Sequence, residues 1–113
     1  MTTRWENGDE HIRLIIEGER TSEKVFRSAL DIELDGNILL DFSLINKVDS
    51  KSIEFLNSFA VAHKAKHFSI IATSPNEIKG LEIEVVPTMT EARDLIFMEV
   101  TERELGFFGE DEM

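Results

Sequence analysis

The run Ile38-Leu39-Leu40-Asp41-Phe42, which follows the turn residues Asp35-Gly36-Asn37, is the feature that most limits what this chain can become. A short apolar run between turn signals marks a strand buried inside a sheet. Phe68–Thr73 has the same character, Ile83–Val86 is a shorter version, and His11–Glu17 alternates early before ending apolar. Between these runs the apolar residues fall at helical spacing. Val25, Phe26, Ala29 and Leu30 follow the cap Ser22, and Ile53, Leu56 and Ala60 follow Asp49-Ser50, with Phe55, Phe59 and Ala62 beside them. Ala92, Leu95, Ile96 and Phe97 or Met98 follow the capping box Thr88–Glu91 as the expected inward positions. The order is β-β-α-β-α-β-α-β-α, so the expected architecture is α/β. It has a mostly parallel sheet of four to five strands, right-handed crossovers, an N-terminal hairpin strand and about four helices.

The element ends carry their own signals. Asn7-Gly8 suits a two-residue hairpin turn between a strand at Thr3–Glu6 and the next strand. Asp35-Gly36-Asn37 is expected to end the first helix, with Gly36 in the left-handed position. Ser74-Pro75-Asn76-Glu77 reads as a capping box opening a two-turn helix that Gly80 stops. In the last helix Glu99 and Arg103 form an i,i+4 pair, and Gly106 is expected to end it. Phe107-Phe108 is expected to fold back over a sheet edge or helix seam, with a sticky association patch as the alternative. Residues 110–113 read as a frayed acidic tail.

With 113 residues, 42% of them apolar, the chain reads as a single domain over 1–113. Its formal charge of −11 repels phosphate backbones, so nucleic acid and anionic membranes are excluded as expected partners and a protein surface is favoured. There is no cysteine, which removes disulfides, thiolate nucleophiles and Cys-based metal sites. No secretory leader opens the chain, and no apolar run approaches the about 20 residues of a membrane span. The expected setting is a soluble, freestanding cytoplasmic protein.

Enzymatic constellations are weak. His63 and His67 are four apart on one helix, but no third ligand accompanies them, and a solvated helix end is the expected reading. The carboxylates at Glu99, Glu102, Glu104, Glu110, Asp111 and Glu112 read as a solvated face and tail. No glycine-rich phosphate loop and no nucleophile elbow is present. The expectation is a non-enzymatic domain with no metal and no cofactor.

One stretch points to a family. In Ile38-Leu39-Leu40-Asp41-Phe42-Ser43-Leu44-Ile45-Asn46-Lys47-Val48-Asp49-Ser50, an apolar strand leads through Asp, an apolar residue, Ser and a short link to an Asp-Ser pair that opens a helix. Val86-Pro87-Thr88-Met89-Thr90-Glu91-Ala92 adds a second match, a final strand turning into a helix near Glu-Ala. Across nearly its whole length the chain resembles a STAS domain, and within that family the bacterial anti-sigma factor antagonists (anti-anti-sigma factors). The resemblance implies a protein-interaction module of bacterial signalling and transcription regulation. Its partner would be an anti-sigma factor that is itself a serine kinase. The unmodified module binds the partner, and phosphorylation of the Ser after the Asp releases it. That residue is Ser50 here, and the implied partner surface is Asn46, Lys47, Asp49, Ser50, Lys51 and Ser52. The family commonly continues Asp-Ser-Ser/Thr-Gly, whereas this chain has Asp49-Ser50-Lys51-Ser52. Lys51 adds bulk and charge where a kinase would approach, and Ser52 replaces a residue that permits close backbone contact.

Three alternatives stand beside this. Asp49 or Ser50 serves only as a helix N-cap, worth ~1 kcal/mol over Ala. Or the chain is a STAS-like scaffold without a phosphoswitch, acting through a fixed partner or oligomerisation, with a weak homodimer as one form. Or it is a small-ligand-binding domain, which needs a deep polar pocket at the C-terminal ends of the strands.

Overall fold

The computed structural model describes residues 1–112, with side chains through residue 105. Strand β1 (Thr2–Gly8) leads to β2 (His11–Arg20), α1 (Glu23–Ala29), β3 (Ile38–Lys47), α2 (Ser50–Lys64), β4 (Ile70–Thr73), β5 (Glu84–Val86) and α3 (Met89–Glu112). The five strands lie in the order β1-β2-β3-β4-β5. β1 runs antiparallel to β2 along its whole length, from Thr2 opposite Glu17 to Gly8 opposite His11. The pairings β2/β3, β3/β4 and β4/β5 are parallel. The sheet is therefore mixed, which corrects the expectation of a mostly parallel one: the hairpin strand is a full member of it.

The hairpin turns at Asp9-Glu10, with Glu10 at φ 65°, not at Asn7-Gly8. A turn at Asn7-Gly8 would set Trp5 opposite Glu10. The observed register sets it opposite Leu14, where its half-buried ring joins the core. Gly8 becomes a strand residue, and a Cβ there would run into the His11 ring.

Strand alternation sends Leu14, Ile16, Ile38, Leu40, Phe42, Ile70 and Ala72 to one face, where Phe26 and Leu30 and then Leu56 and Ala60 of α2 cover them. Phe26 and Phe42 meet there at 6.3 Å between ring centroids. Leu39 and Ile71 point the other way and meet Ala92 and Ile96 of α3, whereas Phe97 and Met98, one of which is expected inward from the sequence, are both exposed. Ser22 caps α1 by accepting the Val25 N–H at 3.4 Å. α1 ends at Ala29, short of Asp35-Gly36-Asn37, and Gly36 has no positive φ. The reason lies in Leu34 and Asn37, which are both buried: the chain leaves the helix early so that these side chains turn inward.

Among the described residues three helices form, not four. The Ser74 hydroxyl takes the N–H of Asn76 at 3.2 Å, two residues on, where a capping box would serve Glu77. The Ser74 N–H is drawn to the Val86 carbonyl at 3.0 Å, so the segment is a turn joining β4 to β5. α3 runs through Gly106, because a single helical glycine costs only about 1 kcal/mol against alanine. The expected packing of Phe107-Phe108 and the fraying of the tail concern residues whose side chains lie outside those described. Glu99 and Arg103 do not pair directly: the Ser69 hydroxyl donates to Glu99 at 3.0 Å and accepts from Arg103 at 2.9 Å. Among the described residues, no helix is long and apolar enough to cross a membrane.

Candidate functional site

β2 and β3 end side by side, with Arg20 registered opposite Lys47, and α2 starts three residues beyond. A bulge between Ile15 and Glu17 shifts the pairing, so that Glu17 meets Leu44 and Gly18 meets Ile45. All six residues singled out in the sequence lie here. Asn46 and Lys47 finish β3, Asp49 caps α2, and Ser50, Lys51 and Ser52 form its first turn.

Asp49 is the structural centre of the group. Its backbone is extended (φ −82°, ψ 160°), and its Oδ1 accepts the Ser52 N–H at 3.3 Å. The Thr21 hydroxyl donates to the same oxygen at 2.7 Å and accepts the Asp49 N–H at 2.9 Å. Thr21 is buried, and its own N–H is bound to the Lys47 carbonyl at 2.9 Å. One threonine at the end of β2 thereby holds both the end of β3 and the cap of α2. Burial pushes the Asp49 carboxyl up, yet the hydrogen bonds from Ser52 and Thr21 outweigh it, and the group sits below its ordinary value.

Because Asp49 does the capping, the Ser50 hydroxyl is left out of it, and Ser50 is exposed on the first turn. Ser52 is the opposite case. It is fully buried, and its hydroxyl has no hydrogen-bond partner. That hydroxyl makes no hydrogen bond to the Asp49 carboxylate, which is held on this side by the Ser52 N–H alone. Asn46 is tied to Glu19 at 2.8 Å. Lys47 and Lys51 are exposed, and among the described residues ion pairs involve only Arg13 with Glu6 and Asp41, and Arg27 with Glu23.

Next to this end of the sheet is an open cleft of about 200 Å3, lined by Phe42, Ile45, Asn46 and Ile53 on one side and by Ser74–Lys79 on the other. It sits where α/β sheets bind ligands, yet it is smaller than the roughly 300–1,000 Å3 of ordinary small-molecule pockets.

Asp41, the first motif residue, does not reach the surface. It is fully buried on the α3 side of the sheet and joined to the Arg13 guanidinium, with Nε at 3.1 Å. Ser43 donates to it from its N–H at 2.9 Å and from its hydroxyl at 2.6 Å. Burial raises this carboxyl, but Ser43 and Arg13 outweigh burial and hold it below the ordinary value. Asp41 and Ser43 are thus structural residues of the strand.

His63 corrects the expectation of a solvated helix end. It is buried, stacked between Phe59 at 5.6 Å and Phe68 at 5.4 Å, with Nε2 2.7 Å from the Gly36 carbonyl. Burial lowers its pKa, so we assign the neutral ring with Nε2–H donating. His67 is exposed in the turn after α2, at φ 68°, so the two histidines do not converge. Among the described residues no group of three acidic or histidine side chains is set to hold a metal.

Thr21 escaped sequence reasoning. It lies 28 residues from Asp49, and only the parallel pairing of β2 and β3 brings the two together. Compared with known families and with curated proteins, the chain matches no family model and no curated protein.

Proposed function

We propose that the chain is a STAS-like, non-enzymatic interaction module of the anti-sigma factor antagonist kind, working in the cytoplasm through the start of α2. The partner is an anti-sigma factor with serine kinase activity, and Ser50 is the residue it modifies. One observation supports this reading above the rest. Asp49, held in place by Thr21, caps α2 without help from Ser50, whose exposed hydroxyl has no hydrogen bond among the described residues. A residue freed in this way can change charge without taking the fold with it.

A phosphate on Ser50 adds about −1.5 to −2 charges. The unpaired N–H groups of the first helical turn favour an anion there. The ionised Asp49 next to it pushes the phosphate outward, toward the solvent side where Lys47 and Lys51 are exposed. A partner seated on that surface meets new charge at the centre of its contact. Lys51 and Ser52, which stand where the family has a hydroxyl residue and Gly, bear on the fit of the kinase; Ser52 is buried and adds no bulk to the outer surface.

The test is affinity capture with wild-type and Ser50→Asp baits, read by mass spectrometry of the preys and of the bait. A serine-kinase prey that is lost with Ser50→Asp, with phosphate on Ser50 of the wild type, is the expected result. Equal capture by both baits with Ser50 unmodified overturns the switch.

A further inference from the structure

The two edges of the sheet are built differently. β5 is three residues long and is followed at once by Pro87, which has no N–H to extend a ladder. β1 is seven residues long, contains no proline, pairs with β2 without a register break, and ends the sheet on its outer side. An open edge of this length presents a row of backbone donors and acceptors to another chain.

We propose that β1 is a self-association edge, pairing antiparallel with β1 of a second copy about a two-fold axis at Trp5. The sequence of the strand, Thr2-Thr3-Arg4-Trp5-Glu6-Asn7-Gly8, is self-complementary about that residue. Centred on Trp5, the pairing uses all seven residues and keeps like faces together. Arg4 of each copy then opposes Glu6 of the other, Thr3 opposes Asn7, and the two Trp5 rings meet at the axis. Such isologous contacts close on themselves and stop at a dimer.

The charges select this register. Centring the pair on Arg4 sets arginine against arginine, and centring it on Glu6 sets glutamate against glutamate; like charges directly opposed on a strand pair repel. Arg4 and Glu6 are both exposed. Arg4 is in no ion pair among the described residues, and Glu6 bonds Arg13 through Oε1 at 3.2 Å. Charges on an edge strand ordinarily discourage pairing. These two discourage the registers centred on Arg4 or Glu6, and the face-matched registers centred on Thr3 or Asn7 pair only three residues of the strand. The inference does not depend on the role given to Ser50.

Sedimentation velocity over a concentration series tests it with the full chain. Wild type is expected to move with concentration from the 12.9 kDa chain mass toward twice that value. Arg4→Glu and Glu6→Arg are each expected to weaken association on the order of tenfold, since each opposes two like-charged pairs across the axis. An equimolar mixture of the two variants restores complementary pairs, and its association is expected to return to near the wild-type level. Any local cost of Glu6→Arg beside Arg13 is the same in the pure and mixed samples, so recovery on mixing reads the interface alone. A wild type that stays monomeric up to about 1 mM, a range that reaches even weak complexes, overturns the proposal. So do single variants that associate like wild type, or a mixture no tighter than its components.

Discussion

The two ends of the sheet treat polar residues in opposite ways. At the end where β3 and β4 begin, the buried polar side chains Asn37, Ser69 and His63 are all used. Asn37 donates to the Glu10 carbonyl at 2.8 Å and accepts the Ser69 N–H at 2.8 Å, while Arg103 reaches both Asn37 and Ser69. The His63 ring closes on Gly36 beside them. At the other end, Thr21 and Asp49 are equally committed, but Ser50, Lys47 and Lys51 stand exposed around them, and the buried Ser52 hydroxyl is unpaired. A polar residue whose bonds are all made inside the molecule holds the fold. One that is placed on a rigid element and left free is available for something outside it.

The sharpest way to break this contrast is Asn37→Ala. It strands the Ser69 N–H and the Glu10 carbonyl and is expected to cost about 2–4 kcal/mol in urea unfolding. Next is Thr21→Val, which keeps the shape but removes both hydroxyl bonds to Asp49, for about 1–2 kcal/mol. A Thr21→Val protein as stable as wild type would show that Thr21 is not committed to the fold as described.

The pH dependence sharpens the same comparison. His63 has a folded pKa below its ordinary 6.5, so the unfolded chain takes up a proton first as pH falls. The stability it contributes is complete above about pH 6.5 and declines as pH drops through the window below that value. Lys66 adds to the lowering, while Asp35 and the Gly36 carbonyl act against it. His63→Phe is expected to flatten stability between pH 7 and pH 5, measured by urea midpoints. Asp41 and Asp49, with folded values below their ordinary 3.8, lose their contributions only below about pH 4.

The smallest effect is expected at Ser52. Removing a buried hydroxyl without a partner, as in Ser52→Ala, leaves stability unchanged or raises it by up to about 1 kcal/mol. A loss of about 1 kcal/mol would instead assign that hydroxyl a working bond to Asp49.

What the sequence disclosed follows from how local each signal is. Ile38–Phe42 and Ile70–Thr73 announce buried strands because they are short, mainly apolar runs, and α2 announces its start because Asp49 and Ser50 are capping residues next to an apolar stripe. The hairpin turn was misplaced by two residues because Asn7-Gly8 has ideal turn chemistry, while the deciding contact, Trp5 against the core beside Leu14, is tertiary. The expected helix after Ser74 gave way to strand pairing at Val86, which no local window contains. The six candidate residues were legible as a group because they fall within the one stretch 46–52. Thr21, the residue that fixes them, was not, because it is joined to them only by the β2/β3 pairing.

The central claim is that Asp49 and Thr21 carry the start of α2 and leave Ser50 free to change its charge. Urea unfolding of Ser50→Asp beside Asp49→Ala tests it most directly. The account predicts that Ser50→Asp stays within about 0.5 kcal/mol of wild type, as a surface change should, while Asp49→Ala loses about 1–2 kcal/mol with its cap. A Ser50→Asp protein destabilised as much as Asp49→Ala would contradict it, because Ser50 would then be holding the fold.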